Sequence, residues 1–359
     1  MAAIRNEMQW LGKLKASQLH QLAIALGSAC SGSKVTVAGG IRQTLTSVPS
    51  DTSKTYCSSA SIPTGSSRQL SIVSIDMGIQ NLAYAHLLAT HSNDRSSEIT
   101  KGAGLRKQPV LNAWERLNAF PVETSHNPIS KPLNPGQYDP SRYASAAYHF
   151  ITDILTKHDP TYVLIEQQRF RSGGSSAVAE WTIRVGVFEG MLHAILRTMR
   201  EERKDRSKLQ AVVSINPART ARFWLEGSGR ADNLLEPTKI SGREGKQAKI
   251  DIVGKSFSDA RNRLVESGST RAKAMEIAFM QKWYTTSKVA KELGLHRTIP
   301  CEIESGLTKP KQPKLDDLAD CLLQALAWLR WQQAGELLLQ DSNSEDPLAA
   351  VRQRLKELA

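Results

Sequence analysis

Two periods of apolar residues organise the chain. Close to the start, Leu11, Leu14, Leu19, Leu22, Ala23 and Leu26 return every three to four or five positions, a spacing that keeps side chains on one side of a helix. A Gly/Ser break at Gly27–Gly32 and a second short element around Ile41–Leu45 complete a small helical unit, placed at residues 1–46. Residues 47–69 are dominated by Ser, Thr and Pro and read as a flexible linker.

Beyond the linker the period shortens. Leu70–Asp76 is an apolar strand that ends on an acid, and a turn at Gly78 leads into a returning strand, Asn81–Leu88. Residues 89–108 are polar and predict a loop. Val110–Arg116 is a third strand, the Pro-rich stretch 121–140 a long connection, and Tyr143–Lys157 a helix. Thr161–Glu166 is a second strand ending on an acid. A polar, Gly-rich turn, Gln167–Ser176, separates it from a long helix over Ala177–Arg200. Ala211–Ile215 is a further buried-type strand. Asn216 and Pro217 then start a helix running through Leu225, with Pro at the first helical position, where its missing N–H costs nothing. Residues 226–312 are basic and partly helical. Lys314–Gln333 is an amphipathic helix with Leu315, Leu318, Leu322, Ala325, Leu326 and Leu329 on one side. Residues 336–359 form a tail with an acidic start and a helical end at Leu348–Leu358. Strands interspersed with helices predict one α/β domain over 70–335, and the early hairpin makes its sheet mixed.

The long helix carries Ile183, Val187, Met191 and Ile195 at four-residue steps, which core packing explains, while Val178, Trp181, Val185 and Phe188 lie on other faces. A helix apolar around much of its circumference is expected to be covered on a second side, by another copy of the chain.

Charge changes this picture. The net charge is +12 and the pI about 9.6, which favours a polyanionic partner. The excess is concentrated. From Arg197 to Lys314, 25 Lys and Arg stand against 14 Asp and Glu, as a binding surface requires and evenly spread solubilising charge does not. Before Leu70 only Glu7 and Asp51 are acidic, a composition compatible with organelle import. Cys30, Cys57, Cys301 and Cys321 form no zinc-ligand spacing. No apolar run approaches a membrane span. Neither a membrane nor a small-molecule cofactor is expected.

The acids carry the chemistry. Asp76 and Glu166 each end a strand. Asp316, Asp317 and Asp320 open the last helix, with Asp317/Asp320 and Asp316/Asp320 both on neighbouring positions of one face. Each has an ordinary explanation: Asp76 in a Gly turn, Glu166 paired with Arg169 or Arg171, the helix acids complementing the dipole. Asp320 strains that explanation, since it lies beside the apolar stripe, where a lone carboxylate is costly. A sheet crossed by a helix would gather all of them. Such a cluster suits Mg²⁺, a hard cation taking oxygen ligands, and two ions together activate water and stabilise the leaving oxygen in phosphodiester hydrolysis.

These residues resemble the RuvC-type branch of the RNase H-like superfamily. The run Ile165-Glu-Gln-Gln-Arg-Phe-Arg-Ser-Gly-Gly174, the stretch Val185–His193, Ser214–Pro217 with Phe223-Trp224, and Lys246–Lys255 resemble fungal mitochondrial Holliday junction resolvases over roughly residues 70–335. The resemblance implies a homodimer in mitochondria that cuts two opposed strands of four-way DNA junctions with Mg²⁺ or Mn²⁺. It implies metal binding by Asp76, Glu166 and Asp320, with Asp316 or Asp317 as the fourth ligand. The N-terminal unit resembles a SAP-type DNA-binding motif, in which Lys34 and Arg42 would meet phosphate.

Basic residues around the acids are candidate phosphate contacts: Arg169 and Arg171 behind Glu166, Arg219 and Arg222 at a helix start, Lys246, Lys249 and Lys255 along a helix edge, and Lys309, Lys311 or Lys314 before the acidic helix. Phe170 is either a wedge between bases at the junction centre or a core anchor. Three other readings compete. One is another RNase H-like nuclease. A second is a junction-binding protein without catalysis, against which the intact acids argue. The third is a sugar kinase or actin-like ATPase, whose second phosphate loop is missing from the sequence.

Overall fold

The computed structural model describes residues 8–47, 68–91, 108–120, 138–168, 179–202, 208–227, 242–295 and 314–358. The expectations for Arg169, Phe170, Arg171, Lys309, Lys311 and most of the linker fall outside them.

Strands β1 (Arg68–Asp76), β2 (Leu82–His91) and β3 (Val110–Leu117) form an antiparallel meander. Gly78 permits the tight first turn: a Cβ there would meet the Asn81 carbonyl oxygen at 2.8 Å. Strands β4 (Tyr162–Glu166) and β5 (Ala211–Ile215) add in parallel on the other side of β1, and the short β6 (Glu266–Ser267) adds beside β3. The order β5-β4-β1-β2-β3-β6 is a mixed sheet, the RNase H-like arrangement implied by the resemblance. The segment expected as loop from residue 89 begins instead with the last rungs of β2, which pairs with β1 up to His91.

The two faces of the sheet bury different helices, as the period of two requires. Val73, Ile75, Val163 and Ile165 face α4 (Pro140–His158) and α5 (Glu180–Glu202). Asp139 caps α4 by accepting from the Ser141 amide at 3.0 Å. Ile72, Ala83, Ala85, Trp114 and Leu164 face the opposite layer. That layer holds α6 (Pro217–Glu226), α7 (Gly242–Ser258), α8 (Thr270–Thr286), α9 (Lys288–Glu292) and α10 (Leu315–Ser342). Asn216 caps α6 by accepting from the Ala218 amide at 3.0 Å, with Pro217 behind it.

Three sequence expectations change here. The last helix is not one-sided: Leu315, Leu318, Ala319, Leu322, Leu323, Leu326, Ala327 and Trp331 are all buried, because the sheet covers one side and α6, α7 and α8 the others. In α5 the core stripe is Val185, Phe188, Leu192, Leu196 and Met199, whereas Ile183 is 47 % exposed and Val187, Met191 and Ile195 only partly covered. Val185 and Phe188 thus take the core side expected for Ile183 and Val187, while Trp181 stays exposed. Finally, the segment after 335 is no loose tail. Helix α10 continues to Ser342, and α11 (Pro347–Leu358) folds back. Ala334, Leu338, Val351 and Leu355 share one core with Leu11 of α1 (Trp10–Lys13), Leu14 just after it, Leu22 of α2 (Ala16–Ala25), and Ile41 and Leu45 of α3 (Lys34–Ser47).

Candidate active site

Strand register assembles the site before any side chain is considered. Ile75 pairs with Ile165 in parallel, so Asp76 and Glu166 leave the sheet side by side. Across the antiparallel strands Asp76 lies opposite Ala83, and Ala83 opposite Arg116. Glu166, Asp76 and Arg116 therefore stand in one row. By the alternation along the strands, they lie on the face that α10 covers. Two contacts hold α10 against that face: Trp114 Nε1 donates to the Leu318 carbonyl at 3.0 Å, and Gln324 Nε2 to Ser74 Oγ at 3.0 Å. The first turns of α10 thereby bring Asp316, Asp317 and Asp320 to the row.

The carboxylates interact strongly. Asp76 is 8 % exposed. Its pKa lies well above the ordinary value because burial disfavours its charge, a hydrogen bond with the Glu166 carboxyl favours its proton, and the charges of Glu166, Asp320 and Asp317 add to this. Burial likewise raises Asp320, against the opposing pull of Lys249, with Glu166 and Asp316 adding to the rise. Burial raises Asp317 although Lys314 and Arg116 pull the other way. Asp316 differs: burial would raise it, but Lys314 and Lys246 outweigh that and leave it lowered.

Cations of the chain itself neutralise part of this charge. Lys249 pairs with Asp320, Lys246 with Asp316 at 3.3 Å, Lys314 with Asp317 at 2.9 Å, and Arg116 with Asp317 at 3.6 Å. Even so, Asp317 Oδ2 and Asp320 Oδ1 are buried and receive no well-formed hydrogen bond, although a cation lies beside each. Among the described residues no three acids are drawn tightly enough together to complete an ion cage. The donor set is nevertheless one that a hard divalent cation fits: clustered carboxylate oxygens, two of them buried without hydrogen bonds.

The sequence profile of the family described as mitochondrial resolvase Ydc2 / RNA splicing MRS1 matches residues 72–338. The chain belongs to this family. Two relatives called "Cruciform cutting endonuclease 1, mitochondrial" align with it. The protein from Schizosaccharomyces pombe is 24% identical over 262 residues, covering 73% of this chain and 78% of the relative. The protein from Saccharomyces cerevisiae is 23% identical over 285 residues, covering 77% and 73%. Among solved structures, the yeast mitochondrial Holliday junction resolvase Ydc2 superposes with a TM-score of 0.49 at 20% identity, covering 90% of this chain and 95% of that one.

The matched region of this mitochondrial resolvase family member spans every acid of the row and the whole of α7. The structure brings Lys246, Lys249 and Lys314 to the acids, and leaves Lys255 exposed on α7. Arg219 and Arg222 have other partners: Arg219 Nη1 donates to the Gly27 carbonyl at 3.1 Å and Arg222 Nη1 to Cys30 Sγ at 2.7 Å. Both hold α6 to the N-terminal unit. Lys34 donates to the Gly12 carbonyl at 2.9 Å within that unit, and Arg42 is exposed. Two residues beside the acids escaped the sequence reading. Arg116 is the last residue but one of its strand, close to the strand-end positions of Asp76 and Glu166, a parallel that could have marked it; it also donates to Asn81. Glu189 on α5 accepts from the Gln168 amide at 3.0 Å and so steadies the chain just after Glu166. No local pattern distinguishes Glu189 from a surface acid.

Proposed function

We propose that this chain is a mitochondrial structure-selective endonuclease that resolves four-way DNA junctions, the activity carried in the names of its relatives. The observation that carries the reading is the row Glu166–Asp76 facing Asp320 and Asp317, a carboxylate cluster in which burial and neighbouring acids raise the pKa of Asp76 and Asp320 and which needs cations. The family description also names an RNA splicing protein; the intact acidic set favours the nuclease, because carboxylates repel phosphates unless metals intervene.

Asp76, Glu166 and Asp320 would hold Mg²⁺, with Mn²⁺ able to substitute. Asp317 is favoured over Asp316 as the fourth ligand, because its charge reaches Asp76 and its Oδ2 lacks a hydrogen bond, whereas Asp316, which pairs with Lys246, is left with a lowered pKa. Two ions held there would supply an activated water and stabilise the leaving oxygen. The chain's own part is positional. Register fixes Asp76 against Glu166, Gln324 and Trp114 fix the approach of α10, and the lysines around the acids meet the phosphates. Arg169, Arg171, Phe170 and Lys311, which border the site in sequence, complete the proposed contact set.

A resolvase cuts two opposed strands, so two sites must act together. The exposed apolar side of α5, with Trp181 at 46 % and Ile183 at 47 %, is the surface on which a second copy would pack. The direct test is cleavage of a labelled mobile four-way junction and of matched duplex in Mg²⁺, by wild type, Asp320→Asn, Asp316→Asn and Asp317→Asn. Paired nicks in opposed strands of the junction alone, lost in Asp320→Asn and Asp317→Asn while junction binding persists, are expected. Binding without any cleavage by wild type would move the chain to the non-catalytic class.

A further inference from the structure

Helix α7 presents Lys246 and Lys249 three residues apart on one face. Helix α10 presents Asp316 and Asp320 four residues apart on one face. The two faces meet as a ladder of two ion pairs, Lys246–Asp316 at 3.3 Å and Lys249–Asp320. The inner rung is sheltered, with the Lys249 side chain 17% and the Asp320 side chain 26% exposed. Beyond these lysines α7 is firmly anchored. Asp251 accepts from Trp283 Nε1 at 2.7 Å and Ser287 Oγ at 2.6 Å, and Val253 and Phe257 lie in the core. Any rearrangement of the rungs is therefore left to the flexible four-carbon lysine stems.

We propose that Lys249, assisted by Lys246, is a two-station positioning residue. Without metal it is the counter-ion of Asp320; when divalent cations take the carboxylates it is released to a phosphate of the bound junction. This rests on the metal-site reading above and adds a coupling to it. A lysine brings one charge to a cluster that a divalent ion serves with two, so metal and lysine compete for the same oxygens. The displaced lysine finds the other carboxylate of the ladder, Asp316, already paired with Lys246 at 3.3 Å and Lys314 at 3.7 Å, so the backbone of bound DNA is the anion left to it. Metal binding and junction binding must then favour one another reciprocally, through the lysines as well as through direct coordination.

The test is titration calorimetry with Mn²⁺ in the absence of DNA, on wild type, Lys249→Gln, Lys249→Arg and Lys246→Gln. Junction affinity is measured in parallel, in chelator and in Ca²⁺. Lys249→Gln should bind Mn²⁺ about tenfold tighter than wild type, since one competing, partly buried ion pair is gone. Lys249→Arg should stay close to wild type. Lys246→Gln, at the exposed rim and safe for folding, leaves the ligand oxygens themselves untouched and only uncovers the charge of Asp316 beside Asp320, so it should shift in the same direction by about two- to threefold. The gain in junction affinity on adding Ca²⁺ should shrink in both Gln variants, and the salt slope of binding in Ca²⁺ should fall by about one for Lys249→Gln. Unchanged or weaker Mn²⁺ binding by the Gln variants overturns the exchange, because a merely structural pair would give that result. Failure of wild type and variants alike to bind Mn²⁺ removes the metal-site reading instead.

Discussion

At Asp76, burial and the adjacent Glu166 carboxyl both favour the proton, so its pKa in the folded, metal-free protein lies above the ordinary 3.8. A raised pKa means that the stability it confers is complete below the unfolded value and is lost as pH rises through the folded one. Metal-free protein should therefore lose stability between pH 4 and the upper carboxylate range, and Asp76→Asn should remove that slope and raise the melting temperature in chelator. Equal melting temperatures for variant and wild type in chelator at pH 8 would refute this. His86 works in the opposite direction. It is 2 % exposed, hydrogen-bonded to Ser71 Oγ at 2.8 Å and Asn112 Nδ2 at 3.1 Å, with the His158 ring beside it at a centroid distance of 4.4 Å and a tilt of 42°. Burial, then the charge of His158, lowers its pKa to about 3. The unfolded chain binds this proton near pH 6.5 and the folded one does not, so stability falls progressively from pH 6.5 towards 3 and is unaffected above. The loss at pH 4 is about 3 kcal/mol. Urea midpoints at pH 7 and pH 4 read it, and His86→Gln should flatten the acid limb if the variant folds.

At the scale of elements, α10 links the site to the far end of the molecule. Its first turn carries the acids, its middle lies on the sheet, and its last turns carry Ala334 and Leu338 into the core shared with α1, α2, α3 and α11. Trp331 lies against Gly27, whose φ of +63° and closeness to the indole leave no room for a side chain. Leu338 is fully buried there. Leu338→Ala should cost about 2–5 kcal/mol of stability, seen in denaturant unfolding, while metal binding at the distant acids stays unchanged. A loss confined to a separate N-terminal transition, with the catalytic domain unaffected, would show instead that the N-terminal unit folds independently. The extended helix also explains why the amphipathic pattern was misread. The sequence marks one strongly apolar side, but alanines and Trp331 on the remaining faces are neutral until other helices pack on them.

For the whole molecule, the proposed contact between copies is the outer side of α5. Ile183→Glu should shift the particle from dimer to monomer in analytical ultracentrifugation and convert paired junction cuts into single, uncoordinated nicks. A monomeric wild type, or paired cutting by a monomeric variant, would count against the second-copy reading. The sequence marks two apolar stripes on this helix and places Ile183 in the core, whereas Val185 and Phe188 take that place and Ile183 is exposed. Both stripes have helical spacing, and only the position of the sheet decides which is inside.

The strands, their terminal acids, the Asn216–Pro217 helix start and the concentration of basic charge are local properties, and the sequence alone determined them. Period-two alternation and capping act over a few residues, so they can be read without the fold. It also marked Asp76, Glu166 and the acids of the last helix, because two strand ends and one helix face are regular positions, but not Glu189. What only the tertiary structure decided involves partners distant in the chain. Register brought Arg116 into the row with Asp76, packing gave Lys249 to Asp320, and Arg219 and Arg222 went to the N-terminal unit. The joining of both chain ends in one core is likewise tertiary. A side chain's charge is written in the sequence, whereas the group that answers it depends on which surfaces the core brings together.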